Sequence, residues 1–181
     1  MNIKSYYAFV LFLLVSFNNS IAQDEWMVKS GDEEIRFKIK NMGFWVKGSF
    51  TGLQATIRFN PNNLSQAYME AHLGAASVNT GMGARDKHLR EADFFDVAQY
   101  PFIVFTSKKI SSSGKGYQME GELTMKGQSQ PLSFGFVFAG DAHRGVLRAS
   151  FEVDRTAFGI GSSSGSMGKM VKVEVSVPVL N

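Results

Sequence analysis

Hydrophobic and polar residues alternate with a period of two along most of the chain after residue 23. Alternation of this kind predicts β-strands that bury one face. The clearest case is the last segment, where a valine stands at every second position from Val171 to Val179. Other strands are predicted over residues 35–39, 44–49, 55–59, 67–78, 102–107, 117–125, 132–138 and 147–153.

Short turns separate these strands, for example at residues 41–43 (NMG), 60–63 (NPNN) and 126–128 (KGQ). Eight or nine antiparallel strands with short connections are typical of a closed barrel or a two-sheet sandwich. An eight-stranded barrel encloses an interior that is either filled by side chains or wide enough for one ligand. Small residues at apolar strand positions favour a cavity over a filled core; they are Gly48, Ala55, Ala71, Ala75, Gly121 and Ala149.

One segment, residues 80–107, breaks the strand pattern with seven ionisable residues between positions 85 and 93. The composition of residues 84–92 predicts a short helix inserted between strands. On that helix Arg85, His88 and Leu89 share one face. Leu89 would then cover an apolar region together with Phe94 and Phe95. Arg85 and His88 would lie at the rim of that region. The alternative is a solvated, salt-bridged turn whose aromatic residues complete an ordinary core.

The N-terminus has the layout of a secretory signal peptide. Lys4 precedes an apolar run over residues 8–17, and small and polar residues follow up to Ala22, where we expect cleavage. A run of ten residues is too short to span a bilayer, so no stable membrane span is expected. The mature chain, residues 23–181, would be one domain in the periplasm or outside the cell.

Composition excludes several classes of function. Cysteine is absent, so disulfides, thiol nucleophiles and thiolate metal sites are excluded. Loss of Lys4 lowers the formal net charge from +3 to +2, which is too weak to indicate a nucleic-acid partner. The three histidines, His72, His88 and His143, lack metal-ligand spacing, and no serine lies in a G-x-S-x-G elbow. We therefore expect neither an enzyme nor a cofactor or metal.

Several motifs together resemble the YceI-like family of exported polyisoprenoid-binding barrels. The matching pieces are residues 77–80 (SVNT), 85–89 (RDKHL), 93–96 (DFFD), 100–101 (YP), 105–107 (FTS), 121–127 (GELTMKG), 154–159 (DRTAFG) and the valine strand. They occur in order across essentially the whole mature chain. The resemblance implies an all-β fold, an eight-stranded antiparallel lipocalin-like barrel with one short inserted helix, whose interior holds a long isoprenoid such as a polyprenyl phosphate or a quinone-like lipid.

A lipid carrier needs an apolar lining and polar residues only at the mouth. The candidates for the head group are Arg85, His88 and Arg155, since arginine suits phosphate and histidine can donate to a phosphate or quinone oxygen. An alternative for Arg155 is a salt bridge to Asp86 or Asp154. The candidates for the apolar lining are Phe44, Phe50, Phe94, Phe95, Phe102, Phe134, Phe136 and Phe151.

The competing function is a structural or stress-protective barrel with a filled core and a protein partner but no ligand. A homodimer is a possible assembly for either function.

Overall fold

A computed structural model describes residues 25–162 and 165–181. The predicted signal peptide, residues 1–22, lies outside the described residues. Within them the strands are β1 Glu25–Val28, β2 Glu34–Asn41, β3 Phe44–Phe50, β4 Gln54–Asn60, β5 Asn63–Gly74, β6 Phe102–Ser113, β7 Gly116–Met125, β8 Gln128–Gly140, β9 Arg144–Asp154 and β10 Met170–Leu180. The helix α1 is Gly83–Leu89, and short 3₁₀ turns cover Ala75–Ser77 and Arg155–Phe158.

Eight of the ten strands close into a barrel. Hydrogen bonding runs in the order β1-β4-β5-β6-β7-β8-β9-β10, and β1 also pairs with β10, which completes the ring. All the pairings are antiparallel. The β2–β3 hairpin extends this ring, because β2 pairs with β10 over Lys172–Ser176 while β1 pairs with the end of β10. The predicted eight-stranded antiparallel barrel with an inserted helix is therefore confirmed.

A buried carboxylate joins two connections between strands. Glu33 lies between β1 and β2, and it bridges to the connection between β3 and β4. Its carboxylate accepts the N–H of Gly31 at 2.7 Å, of Gly52 at 2.9 Å and of Leu53 at 3.4 Å. Burial opposes ionisation of Glu33, but these backbone donors outweigh it and lower its pKa.

Several element boundaries differ from the predicted ones, and strands β5, β8 and β9 also begin earlier than predicted, at Asn63, Gln128 and Arg144. Strand β5 ends at Gly74 rather than residue 78, because the chain enters a 3₁₀ turn whose first N–H, that of Ala75, donates to the Pro101 carbonyl at 2.9 Å. Helix α1 ends at Leu89 rather than residue 92. Strand β6 continues to Ser113 rather than ending at residue 107. The four-residue strand β1 was not predicted, since it is too short to show a period.

One end of the barrel is filled by aromatic side chains. Phe59 is fully buried at its centre, and its ring lies 4.9 to 5.7 Å from the rings of Tyr117, Phe136 and Phe138. Trp26 packs on Phe138 and donates its indole N–H to the Phe59 carbonyl at 2.8 Å. We call this cluster the aromatic plug. It closes the end of the barrel opposite α1.

Candidate ligand cavity

The interior between the aromatic plug and α1 is hollow, with a cavity of about 300 Å³. Its wall is made almost entirely of apolar side chains that the strands direct inward. From β10 these are Val171, Val173, Val175 and Val177, the predicted inward face of the valine strand. Several of them are only partly buried, whereas Val179, beside the plug, is 1% exposed. The inward side chains therefore border an open space in the middle of the barrel.

Six of the eight phenylalanines predicted to form an apolar lining do border this cavity. They are Phe50, Phe94, Phe95, Phe134, Phe136 and Phe151. Phe134 and Phe151 stack with ring centroids 4.5 Å apart on neighbouring β8 and β9. The wall therefore presents aromatic faces from several strands.

The other two phenylalanines lie elsewhere, and their placement in the lining was wrong. Phe102 is 53% exposed, because it has the parity opposite to Ile103 and Phe105, which face the cavity. Phe44 is 78% exposed because it stands at the tip of the β2–β3 hairpin, six residues along the strand from Phe50. At about 3.3 Å per residue, this places it roughly 20 Å from the part of β3 that borders the cavity.

The small residues that favoured a cavity have two different roles. Ala55, Ala71 and Ala149 border the cavity, and their short side chains leave space in its centre. Gly48 and Gly121 are instead covered by aromatic rings, since a Cβ at either position would lie less than 3 Å from the ring of Phe37 or Phe105. Ala75 is 1% exposed and does not border the cavity, so only Ala55, Ala71 and Ala149 help to make the barrel hollow.

The open end of the barrel is capped by two segments. The first carries Leu89 at the end of α1, followed by Phe94 and Phe95. The second is the loop that follows the 3₁₀ turn Arg155–Phe158, and we call it the capping loop. It places Ile160 and Met167 against the cavity. The two segments meet where the Gly161 N–H donates to the Asp93 carbonyl at 2.8 Å. We call the region between them the mouth. Ile160 and Met167 were not predicted, because they lie in a Gly/Ser-rich loop without periodicity.

Arg155 is the only predicted head-group residue that borders the cavity. It is 4% exposed, and its guanidinium donates to four backbone carbonyls of the capping loop: Gly168 at 2.9 Å, Ile160 at 2.6 Å, Ser162 at 2.9 Å and Met167 at 3.1 Å. Burial lowers its pKa, and the nearby Asp154 partly offsets this. Arg155 therefore organises the loop and places a positive charge at the mouth.

The alternative of a salt bridge from Arg155 is wrong. Among the described residues, the guanidinium forms no ion pair with Asp86 or Asp154. The Asp154 carboxylate accepts from the Thr156 N–H at 2.8 Å and hydroxyl at 2.6 Å instead. Asp86 accepts from the N–H and hydroxyl of Thr80, and these hydrogen bonds lower its pKa.

Arg85 and His88, the other head-group candidates, do not border the cavity. Arg85 is half-buried and donates to the hydroxyl of Thr80 at 2.7 Å and to its carbonyl at 2.9 Å, so it holds the loop that precedes α1. His88 is exposed, and its ring contacts that of Phe94 with centroids 4.9 Å apart. Since Phe94 faces the cavity, His88 lies at the outer edge of the mouth.

In the part of the chain that the structure describes, no three His, Asp or Glu side chains are grouped so as to hold a metal ion. Over the same residues, no helix has the length and apolar composition needed to cross a membrane.

The fold and site define a closed antiparallel barrel with an apolar cavity that is plugged at one end and capped at the other. The profile of the YceI-like domain matches residues 26–179, and the chain belongs to this family. Protein YceI of Escherichia coli is 30% identical over an alignment of 173 residues that covers 91% of this chain and 91% of its own.

Solved structures show the same fold. Burkholderia cenocepacia BcnA has a TM-score of 0.79 at 21% identity, over 83% of this chain and 98% of its own. A domain from Saccharophagus degradans, described as a polyisoprenoid binding domain, has a TM-score of 0.67 at 13% identity, over 86% of this chain and 97% of its own.

Proposed function

We propose that this protein is an exported carrier that holds a long-chain isoprenoid, such as a polyprenyl phosphate or a quinone-like lipid, without altering it chemically. The observation that carries the proposal is the hollow interior of about 300 Å³ with an apolar wall. This volume is at the lower end of the range for ligand pockets, about 300 to 1,000 Å³, and suits one hydrocarbon chain. Burial of each methylene group contributes about 0.8 kcal/mol.

A solved structure of the same fold supports this choice of ligand. A member of the same fold, the Saccharophagus degradans domain, is described as polyisoprenoid-binding. The barrel also lacks the filled core that the structural alternative requires, because its central alanines leave open space. We propose a periplasmic or secreted location from the sequence of residues 1–22.

We propose that the head group lies at the mouth, between Arg155 and His88. The positive charge of Arg155 borders the cavity, and its hydrogen-bond partners there are neutral carbonyls, which favours an anionic or carbonyl-bearing head group. The side chain of Arg85 is hydrogen-bonded to Thr80 and does not border the cavity, so we do not include it in the head-group site.

Direct titration with defined lipids tests the proposal. We expect geranylgeraniol and geranylgeranyl phosphate to bind, with the phosphate tighter, when bound protein is measured by native mass spectrometry. The control is the double variant Ala71→Leu/Ala149→Leu, which narrows the cavity from two walls and should bind both lipids at least tenfold more weakly. Equal binding by the double variant, or none by the wild type, would contradict the proposal.

A further inference from the structure

The tip of the β2–β3 hairpin carries an unusual exposed apolar surface. Met42 is 73% exposed, Phe44 78%, Trp45 46% and Met170, at the start of β10, 45%. Met42 and Gly43 form a two-residue turn with positive φ angles, so the hairpin ends abruptly and projects these side chains into solvent. We call these four residues the apolar tip. Exposed large apolar groups at one place usually mark an interaction surface.

Lysines lie directly behind the apolar tip on the outer face of the barrel. Lys172, Lys38 and Lys47 stand in register across β10, β2 and β3. Lys40 is opposite Trp45, and its Nζ lies 5.4 Å from the centre of that ring. We call these four lysines the basic row. Lys38 pairs with Glu174 and Lys172 with Glu152, while Lys40 and Lys47 form no ion pair with the described residues.

The other end of the barrel provides a contrast. Met27 is 68% exposed and Leu180 41% there, so apolar exposure alone does not distinguish the two ends. However, the nearby cations Lys29 and Arg58 are paired with Asp32 and Glu25. Exposed apolar side chains combined with unpaired lysines therefore occur together at the hairpin.

We propose that the apolar tip docks on an anionic phospholipid bilayer, with the basic row on the lipid phosphates. Aromatic residues suit the interface between head groups and hydrocarbon, and each lysine near an anionic surface adds attraction. A soluble protein partner would have to supply both an apolar pocket and a matching acidic rim. An anionic bilayer has an apolar interior beneath anionic head groups over its whole surface.

The apolar tip lies next to the capping loop, so docking would affect the mouth of the cavity. The Met42 N–H donates to the Ser166 carbonyl of the capping loop at 3.0 Å, and Asn41 is bridged to Met167, which borders the cavity. A docked tip therefore brings the mouth to the bilayer surface. Loading of a lipid by this route depends on the proposed function, but the docking itself does not.

Cosedimentation with vesicles tests the docking. Each variant is expressed from the full sequence. Mass spectrometry then establishes that all variants have the same N-terminus, so that differences in binding arise from the substitutions alone. We expect binding to vesicles of phosphatidylcholine with phosphatidylglycerol, and much weaker binding to phosphatidylcholine alone or in high salt. Met42→Ser/Phe44→Ser should weaken binding at least tenfold, and Lys40→Gln/Lys47→Gln about fivefold per lysine. Met27→Ser, an equally exposed methionine at the other end, should bind as the wild type does.

Fluorescence provides a second readout. Trp45 is 46% exposed and Trp26 only 4%, so a blue shift on vesicle addition reports on the tip and should vanish in Trp45→Phe. The cavity-filling double variant should still bind vesicles, which separates failure of docking from failure of lipid carriage. The proposal is overturned if the wild type does not bind anionic vesicles, if Met27→Ser weakens binding as much as the tip variant, or if size-exclusion chromatography shows that the tip forms a dimer instead.

Discussion

Replacing Ala149 by leucine measures whether the barrel is hollow at its centre. Ala149 lies on β9, between Phe136 of β8 and Val175 of β10, and borders the cavity. Leucine adds three carbons, which contribute up to about 2.4 kcal/mol if they fill open space at about 0.8 kcal/mol each. Fixing the leucine rotamer costs about 0.5 to 1 kcal/mol. We therefore expect a net stabilisation of about 1.5 kcal/mol.

The assay is thermal unfolding followed by circular dichroism. For a chain of this size, a change of about 1 kcal/mol moves Tm by about 2 to 4 °C, so Ala149→Leu should raise Tm by about 3 to 6 °C. The matched control is Ala75→Leu, at an alanine that is 1% exposed and does not border the cavity. Overpacking at that site should cost about 1 to 3 kcal/mol and lower Tm. A fall in Tm for Ala149→Leu similar to that for the control would refute a hollow interior.

Three further predictions concern ionisable side chains. The pKa of Glu33 is lowered on folding, so its contribution to stability is present above about pH 4.5 and is lost as pH falls through its folded pKa. Glu33→Gln should therefore flatten the dependence of Tm on pH in acid. An unchanged profile would contradict this. Arg155→Met leaves the buried Ile160 carbonyl without its donor, at about 1 to 3 kcal/mol, and removes three partly buried hydrogen bonds. Tm should therefore fall by at least several degrees, and hydrogen exchange should rise in the capping loop. Unaltered exchange would show that the loop does not depend on Arg155. Arg85→Ala should lower the free energy of unfolding, measured with denaturant, by about 1 to 2 kcal/mol, because the hydrogen bonds to Thr80 are lost. His88→Ala should change it by less than about 0.5 kcal/mol, because the side chain is exposed. The opposite order would be inconsistent with the contacts of the two side chains.

Much of the fold follows from local pattern. The valines of β10 alternate without interruption, so both the strand and its inward face could be predicted from sequence. Phe134, Phe136 and Phe151 also stand in clearly alternating strands and border the cavity. Phe102 was misplaced because residues 102–105 (FIVF) are all apolar, and such a run does not reveal which face is buried.

The parts that could not be predicted depend on contacts between distant segments. The role of Arg155 needs carbonyls up to thirteen residues away in a loop that has no periodicity. Glu33 reads in the sequence as one of several acidic residues in a turn, and only closure of the barrel brings Gly52 to its carboxylate. Phe44 has the parity of the inward residues, but the length of the hairpin carries it beyond the cavity.

The measurement that bears most directly on the proposed carrier is the identification of lipid that copurifies with the protein. Protein recovered from the exported fraction without detergent would be analysed by native mass spectrometry and then extracted with organic solvent. We expect a bound species that is released on extraction and has the mass of an isoprenoid lipid, with much less of it on Ala71→Leu/Ala149→Leu. An empty wild-type protein that also takes up no added geranylgeranyl phosphate would contradict the account.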